Sequence, residues 1–190
     1  MPAHARLAIV ALVASSHAAL AGIVHDEATD GDLSGDRLAP TALTLGPGSN
    51  TLRATVSPGD LDYFTFTIAP GQRLDAIVVD AFSTIGDVAF LGVQQGTVFT
   101  EPAGLADVAN LLGYTHFGIT GDIGRNILPR IGTGNGAIGF TDTLPAGDYV
   151  FWMQQQGKPS PVTLDFVVTP APPTALALAG FALVASRRRR

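Results

Sequence analysis

Three Pro-Gly pairs, Pro47-Gly48, Pro58-Gly59 and Pro70-Gly71, follow one another at intervals of roughly a dozen residues. Proline fixes φ and removes a backbone donor, and glycine takes the positive φ of tight turns, so each pair punctuates the chain. Between the pairs, apolar residues recur at every second position: Leu43 and Leu45, then Leu52, Ala54 and Val56, then Phe64, Phe66 and Ile68. Period two puts such residues on one face of a strand. Short strands with turns at this spacing predict an all-β sandwich.

The pattern continues unevenly. Residues 74–82 are almost continuously apolar and rich in valine, which predicts a central strand covered on both faces. Residues 88–93 and 97–99 are expected to form a hairpin about Gln95-Gly96. Periodicity then fails. Residues 101–137 are expected as a long inserted loop, with a short helix over 105–112 and a glycine-rich stretch beginning GYTHFGITGDIG. Long ordered loops often carry function. Strands are expected again at 138–141, 148–154 and 162–168, the last with Val162, Leu164, Phe166 and Val168 on one face.

Gly59-Asp60-Leu61-Asp62-Tyr63-Phe64-Thr65-Phe66, followed by Ala69-Pro70-Gly71-Gln72, resembles the central signature of bacterial prepeptidase C-terminal (PPC) domains. Leu144-Pro145-Ala146-Gly147-Asp148-Tyr149-Val150-Phe151 is similar to that family's closing signature. The resemblance covers residues 40–100 and 138–168, and 101–137 departs from it. It implies a compact, jelly-roll-like β-sandwich over 41–169, of a kind appended to secreted proteins, some of which bind calcium or extracellular polymers.

Both ends carry sorting features. Arg6, the apolar run 7–13 and the small-residue site Ala19-Leu20-Ala21 predict that residues 1–21 are a secretory signal peptide, expected to be cut by signal peptidase before Gly22. The other end runs Pro170-Ala171-Pro172-Pro173, an uncharged stretch 174–186, then Arg187, Arg188, Arg189 and Arg190. As a helix that stretch reaches roughly 20 Å at ~1.5 Å per residue, short of a hydrocarbon core about 30 Å thick. The arginines resist crossing a bilayer. This tail resembles a PEP-CTERM sorting signal, recognised by exosortase-type transpeptidases of Gram-negative bacteria, with Ala171 where the family has glutamate. The resemblance implies that 170–190 touches the membrane transiently and that the protein is sorted to the cell surface or an extracellular polysaccharide matrix. An ordinary C-terminal anchor is the alternative reading.

Five of the 11 basic residues lie in these two end segments, and all 16 acidic residues lie between them. Six against 16 gives the body a formal charge of −10. Such a body repels nucleic acid and suits cation binding or plain solubility. Without cysteine, an exported chain depends on its core or on a metal rather than on disulfides.

Catalytic motifs are missing from the sequence. Only His25 and His116 lie between the end segments, with no Gly-x-Ser-x-Gly and no zinc-ligand spacing. The expectation is a non-enzymatic protein. Calcium is the one cofactor the residues suggest. Asp26, Glu27, Asp30, Asp32 and Asp36 crowd the acidic segment 22–40, Gly31 and Gly35 permit turns between them, and Asp60 or Asp62 is expected to complete an irregular oxygen site. The resemblance to PPC domains places calcium where such a segment meets the sandwich. A solvated acidic linker is the competing reading. Trp152 stacks on a sugar ring if exposed and belongs to the core if not. Two functions stand: a structural or interaction protein of the surface or matrix, and a calcium-dependent polymer- or carbohydrate-binding module.

Overall fold

The computed structural model describes residues 22–83 and 88–172. Ala19 and Ala21 of the cleavage site, and the sorting tail from Pro173 through Arg187, Arg188, Arg189 and Arg190, lie outside the described residues.

The chain runs β1 (Gly22–Asp26), α1 (Glu27–Asp30), β2 (Thr41–Ala42), β3 (Gly48–Val56), β4 (Leu61–Phe82), β5 (Val88–Gln95), a 3-10 turn (Val108–Asn110), β6 (Gly113–Gly118), α2 (Ile119–Asp122), α3 (Leu128–Gly132), β7 (Leu144–Gln155) and β8 (Ser160–Pro170). The strands form one mixed sheet in the order β1-β3-β8-β4-β7-β5-β6, and β2 pairs with β4. β1 on β3 and β2 on β4 are parallel pairs; the other ladders are antiparallel.

The sheet becomes a sandwich through β4. Its first part pairs with β7 from Leu61 to Ile68, and its second pairs with β8 from Gln72 to Phe82. Pro70-Gly71 therefore does not end a strand, as its turn chemistry suggested. It bends one: Gly71 takes φ 79°, and the pairing with β7 is interrupted between Ile68 and Arg73. One strand thus belongs to both layers.

Alternation is kept where it was expected. Leu52, Ala54 and Val56, Phe64, Phe66 and Ile68, and Val162, Leu164, Phe166 and Val168 all turn into one core. Phe166 of β8 meets Phe64, Phe66 and Phe151 edge-on, with ring centroids 5.8, 5.4 and 5.9 Å away, so the two layers touch through aromatic rings. Edge-on pairs set the positive rim of one ring against the negative face of another. Residues 74–82 bury Leu74, Ile77, Val79 and Phe82 on one face, with two register shifts against β8 between Leu74 and Ala76 and between Val79 and Ala81 resetting the alternation, rather than being covered on both faces.

The middle of the chain differs most from its sequence reading. Residues 113–118 are strand β6, paired with β5 from Val88↔Gly118 to Val93↔Gly113. Residues 97–99 form no strand: Phe99 N–H donates to the Arg37 carbonyl, and the Phe99 side chain is buried. The helix expected over 105–112 is only the short 3-10 turn, and 138–141 is not a strand. The expected loop also feeds the main core, through Ile127, Leu128 and Ile131. Arg130 fastens this segment by donating to Thr115 Oγ1 at 2.9 Å, Asp122 Oδ1 at 2.9 Å and the His116 carbonyl at 3.0 Å.

Gly113 shows why the strand carries a glycine. A Cβ there would run into the Ile131 carbonyl of α3. Gly113→Ala is expected to cost about 1–3 kcal/mol through overpacking, read as a lower urea midpoint with an unchanged slope.

A smaller core lies on the outer face of the β4–β7–β5 layer. Tyr63, Phe99, Leu111, Val150 and Trp152 pack there beneath the segment between β5 and β6. Arg37 crosses from the N-terminal segment and donates to the carbonyls of Phe99 and Thr100 at 3.0 and 2.8 Å.

Candidate functional site

The N-terminal segment is built onto the sandwich rather than left as a linker. Leu33 and Leu43 are buried in the main core, Tyr63 N–H donates to the Ser34 carbonyl at 2.8 Å, and Leu43 N–H to the Thr65 carbonyl at 2.8 Å. Glu27 reaches across to β3, where its Oε2 accepts from Thr55 N–H at 2.6 Å, while Oε1 accepts from Leu33 N–H at 3.4 Å. These bonds hold its carboxylate against the sandwich.

Glu27 of α1, Asp32 of the following loop and Asp62 of β4 converge here, each offering a carboxylate oxygen, all within 4.8 Å of one another. Asp62 shares strand parity with Phe64, Phe66 and Ile68, so β4 points it inward. It is 0% exposed, and neither carboxylate oxygen has a hydrogen-bond partner. A buried polar group without a partner is costly, and an ionised one far more so.

Electrostatics compound the cost. Burial, then Asp60, Glu27 and Asp32, push the Asp62 carboxyl up to about 8. Glu27 is raised by burial and by Asp32 and Asp60, against the lowering effect of its bonds from Thr55 and Leu33. Asp60 is raised by burial and by Asp32, while a bond from Ser57 lowers it. The acidic groups press on one another from the exposed Asp32, through the half-buried Glu27, to the buried Asp62. A hard cation relieves such an arrangement, and an all-oxygen donor set suits calcium.

The other expected ligands go elsewhere. Asp26 caps α1 by accepting from Ala28 N–H at 3.1 Å and pairs with Arg53 at 3.3 Å. Asp30 accepts from Asp26 N–H at 2.9 Å. Asp36 accepts from Leu38 N–H at 2.9 Å. Each settles a local backbone donor, the ordinary work of aspartate at turns and caps. Of the seven acids expected, the structure brings together Glu27, Asp32 and Asp62, with Asp60 close enough to be felt.

Trp152 is 4% exposed in the smaller core, 6.2 Å from the Tyr63 ring and 4.7 Å from Phe90. Its ring is not an open platform. His25 Nε2 lies 3.0 Å from the Gly31 carbonyl, and the His116 ring sits edge-on to Phe90 at 5.5 Å. Pro170 ends β8 and Pro172 lies just beyond it. No protein-family model, curated protein or solved structure matches this chain.

Proposed function

We propose that this chain is a non-catalytic exported protein of the cell surface or extracellular polysaccharide matrix of a Gram-negative bacterium, with calcium clamping its N-terminal segment to a β-sandwich. One observation carries the cation: Asp62 is fully buried, its carboxylate lacks any partner, and Glu27 and Asp32 offer oxygens beside it. Glu27, Asp32 and Asp62 would hold the ion, with backbone carbonyls or water completing its shell. Its chemistry there is charge neutralisation, which favours the docked segment over a released one.

Export and sorting are supported by the sequence features of residues 1–21 and 170–190. Signal peptidase and an exosortase-type transpeptidase are the processing partners, and membrane contact is confined to that passage. The strongly acidic body argues against nucleic acid and for a neutral or cationic surface partner. A non-catalytic role fits the histidines: His25 sits against a backbone carbonyl and His116 against an aromatic ring.

Two measurements test this reading. Calcium at a hundredfold excess over its dissociation constant is expected to add about 2.7 kcal/mol to the folded state, seen as a raised thermal midpoint relative to chelator. An unchanged midpoint with no heat of binding would remove the cation. Mass spectrometry of the protein from its native host is expected to show a chain that begins near Gly22 and lacks Arg187 to Arg190. An intact tetra-arginine end in the surface fraction would reject sorting by cleavage.

A further inference from the structure

Beyond the acidic site, three buried side-chain atoms among the described residues have no hydrogen-bond partner: Trp152 Nε1 and both amide atoms of Gln155. Trp152 is 4% and Gln155 1% exposed. Trp152 lines one stretch of surface, where two concavities of about 220 and 260 Å³ share Phe90, His116 and Gln154 as a common wall; Gln155 has the strand parity of Phe151 and Met153, which face the main core on the other side of the layer. Buried polar atoms are nearly always satisfied, so the unpartnered Trp152 indole N–H beside this trough points to something that satisfies it there.

Register builds the trough. His116 of β6, Phe90 of β5 and Gln154 of β7 are cross-strand partners in one row, and Tyr114, Gly92 and Trp152 form the next. Gly92 lets Phe90 lean across the sheet: a Cβ there would stand 2.9 Å from Phe90 Cε1. The Phe90 ring is thereby held 4.7 Å from Trp152, 5.9 Å from Tyr114 and 5.5 Å from His116. Phe90 stays half-buried and His116 exposed, so the row opens to solvent. Gly104, Ala106 and Val108 bound the larger concavity, and their small side chains leave it open.

The lining carries no aspartate, glutamate, lysine or arginine. His116 is the one ionisable side chain in the lining, so a charged ligand would find no carboxylate, ammonium or guanidinium to pair with. A wholly apolar one would leave the Trp152 indole N–H without a partner. What remains is a neutral molecule with an apolar face and a hydroxyl-bearing edge. We propose that this trough binds a neutral saccharide, with a pyranose face packed on Phe90 and hydroxyls paired with Gln154 and the orphaned Trp152 indole N–H. It lies on the outer face of the layer whose inner face carries Asp62, so it stands independently of the cation.

The chain has one tryptophan, so its fluorescence reports on this trough alone. The full chain is titrated with neutral hexasaccharides of glucose, mannose and N-acetylglucosamine. At least one is expected to shift Trp152 emission saturably. Phe90→Ala is expected to weaken that binding by up to about tenfold, the loss of one aromatic contact. Gln154→Ala, at a half-buried polar position, keeps the test valid should Phe90→Ala fail to fold; it is expected to weaken binding with an unchanged thermal midpoint. Silence towards all three sugars, binding unaltered in Gln154→Ala, or a response to a proline-rich peptide in place of sugars would each overturn the proposal.

Discussion

Asp62→Asn is expected to stabilise the chelated protein near neutral pH and to abolish its response to calcium. The Asp62 carboxyl is raised to about 8 in the fold, against 3.8 for an ordinary aspartate. Between those values the folded state holds a proton that the unfolded state has released. Stability therefore falls as pH rises from about 4 to about 8, the opposite of an ion-paired aspartate. At ~1.4 kcal/mol per pK unit, the full span is on the order of 5 kcal/mol. Asparagine mimics the protonated form and removes that slope. Metal-free wild type is thus expected to melt lower at pH 8 than at pH 5, the variant to melt nearly alike at both, and calcium to flatten the wild-type profile. Calcium affinity should itself rise with pH up to about 8, because the ion must displace the proton. A chelated protein whose midpoint rises between pH 5 and 8 would sink this account.

Phe66→Ala is expected to cost about 3–5 kcal/mol, the usual range for a buried phenylalanine. The ring is 3% exposed and faces Phe151 at 5.1 Å and Phe166 at 5.4 Å, so its removal opens a cavity where the layers meet. Urea unfolding should show the loss in the midpoint, with the slope kept. Deletion of residues 118–136 is expected to do worse and leave no cooperative transition, because it removes Ile127, Leu128 and Ile131 from the same core. A folded deletion variant beside a silent Phe66→Ala would invert the assignment of core and periphery.

How much of this was legible follows from where each signal resides. Strands β3 and β8, and Phe64 to Ile68 of β4, announce themselves through alternation because one face meets the core and the other is open, whereas β7 is apolar on both faces because Val150 and Trp152 enter the smaller core. Strand β6 hides because GYTHFG carries glycine at both ends, and Gly113 is there for a neighbour far along the chain, the Ile131 carbonyl. Strand β1 is equally opaque: its pairing with β3 rests on residues such as Leu52 and Arg53, with α1, β2 and their connecting loops in between. Of the acidic residues, the segment was visible but its division of labour was not. Capping claims Asp26 and Asp36 through their own nearby N–H groups, whereas Glu27 and Asp32 are defined by contact with β4. One clue did lie in the sequence. Asp62 keeps the parity of Phe64, Phe66 and Ile68, and an acid on a core-facing position asks for a partner.

The interleaving of β8 between β3 and β4 governs the order of events as the chain is made. Asn50 Nδ2 donates to the Phe166 carbonyl at 2.9 Å across 116 residues of sequence. Until residues 160–170 emerge, β3 and the second part of β4 flank an empty slot, each with an unsatisfied edge. No partial set of strands from the N-terminus can close the sandwich, and contacts this distant in sequence form slowly. The chain's own strand order therefore keeps the fold unfinished until residues 160–170 are in place. Closure waits for the last strand.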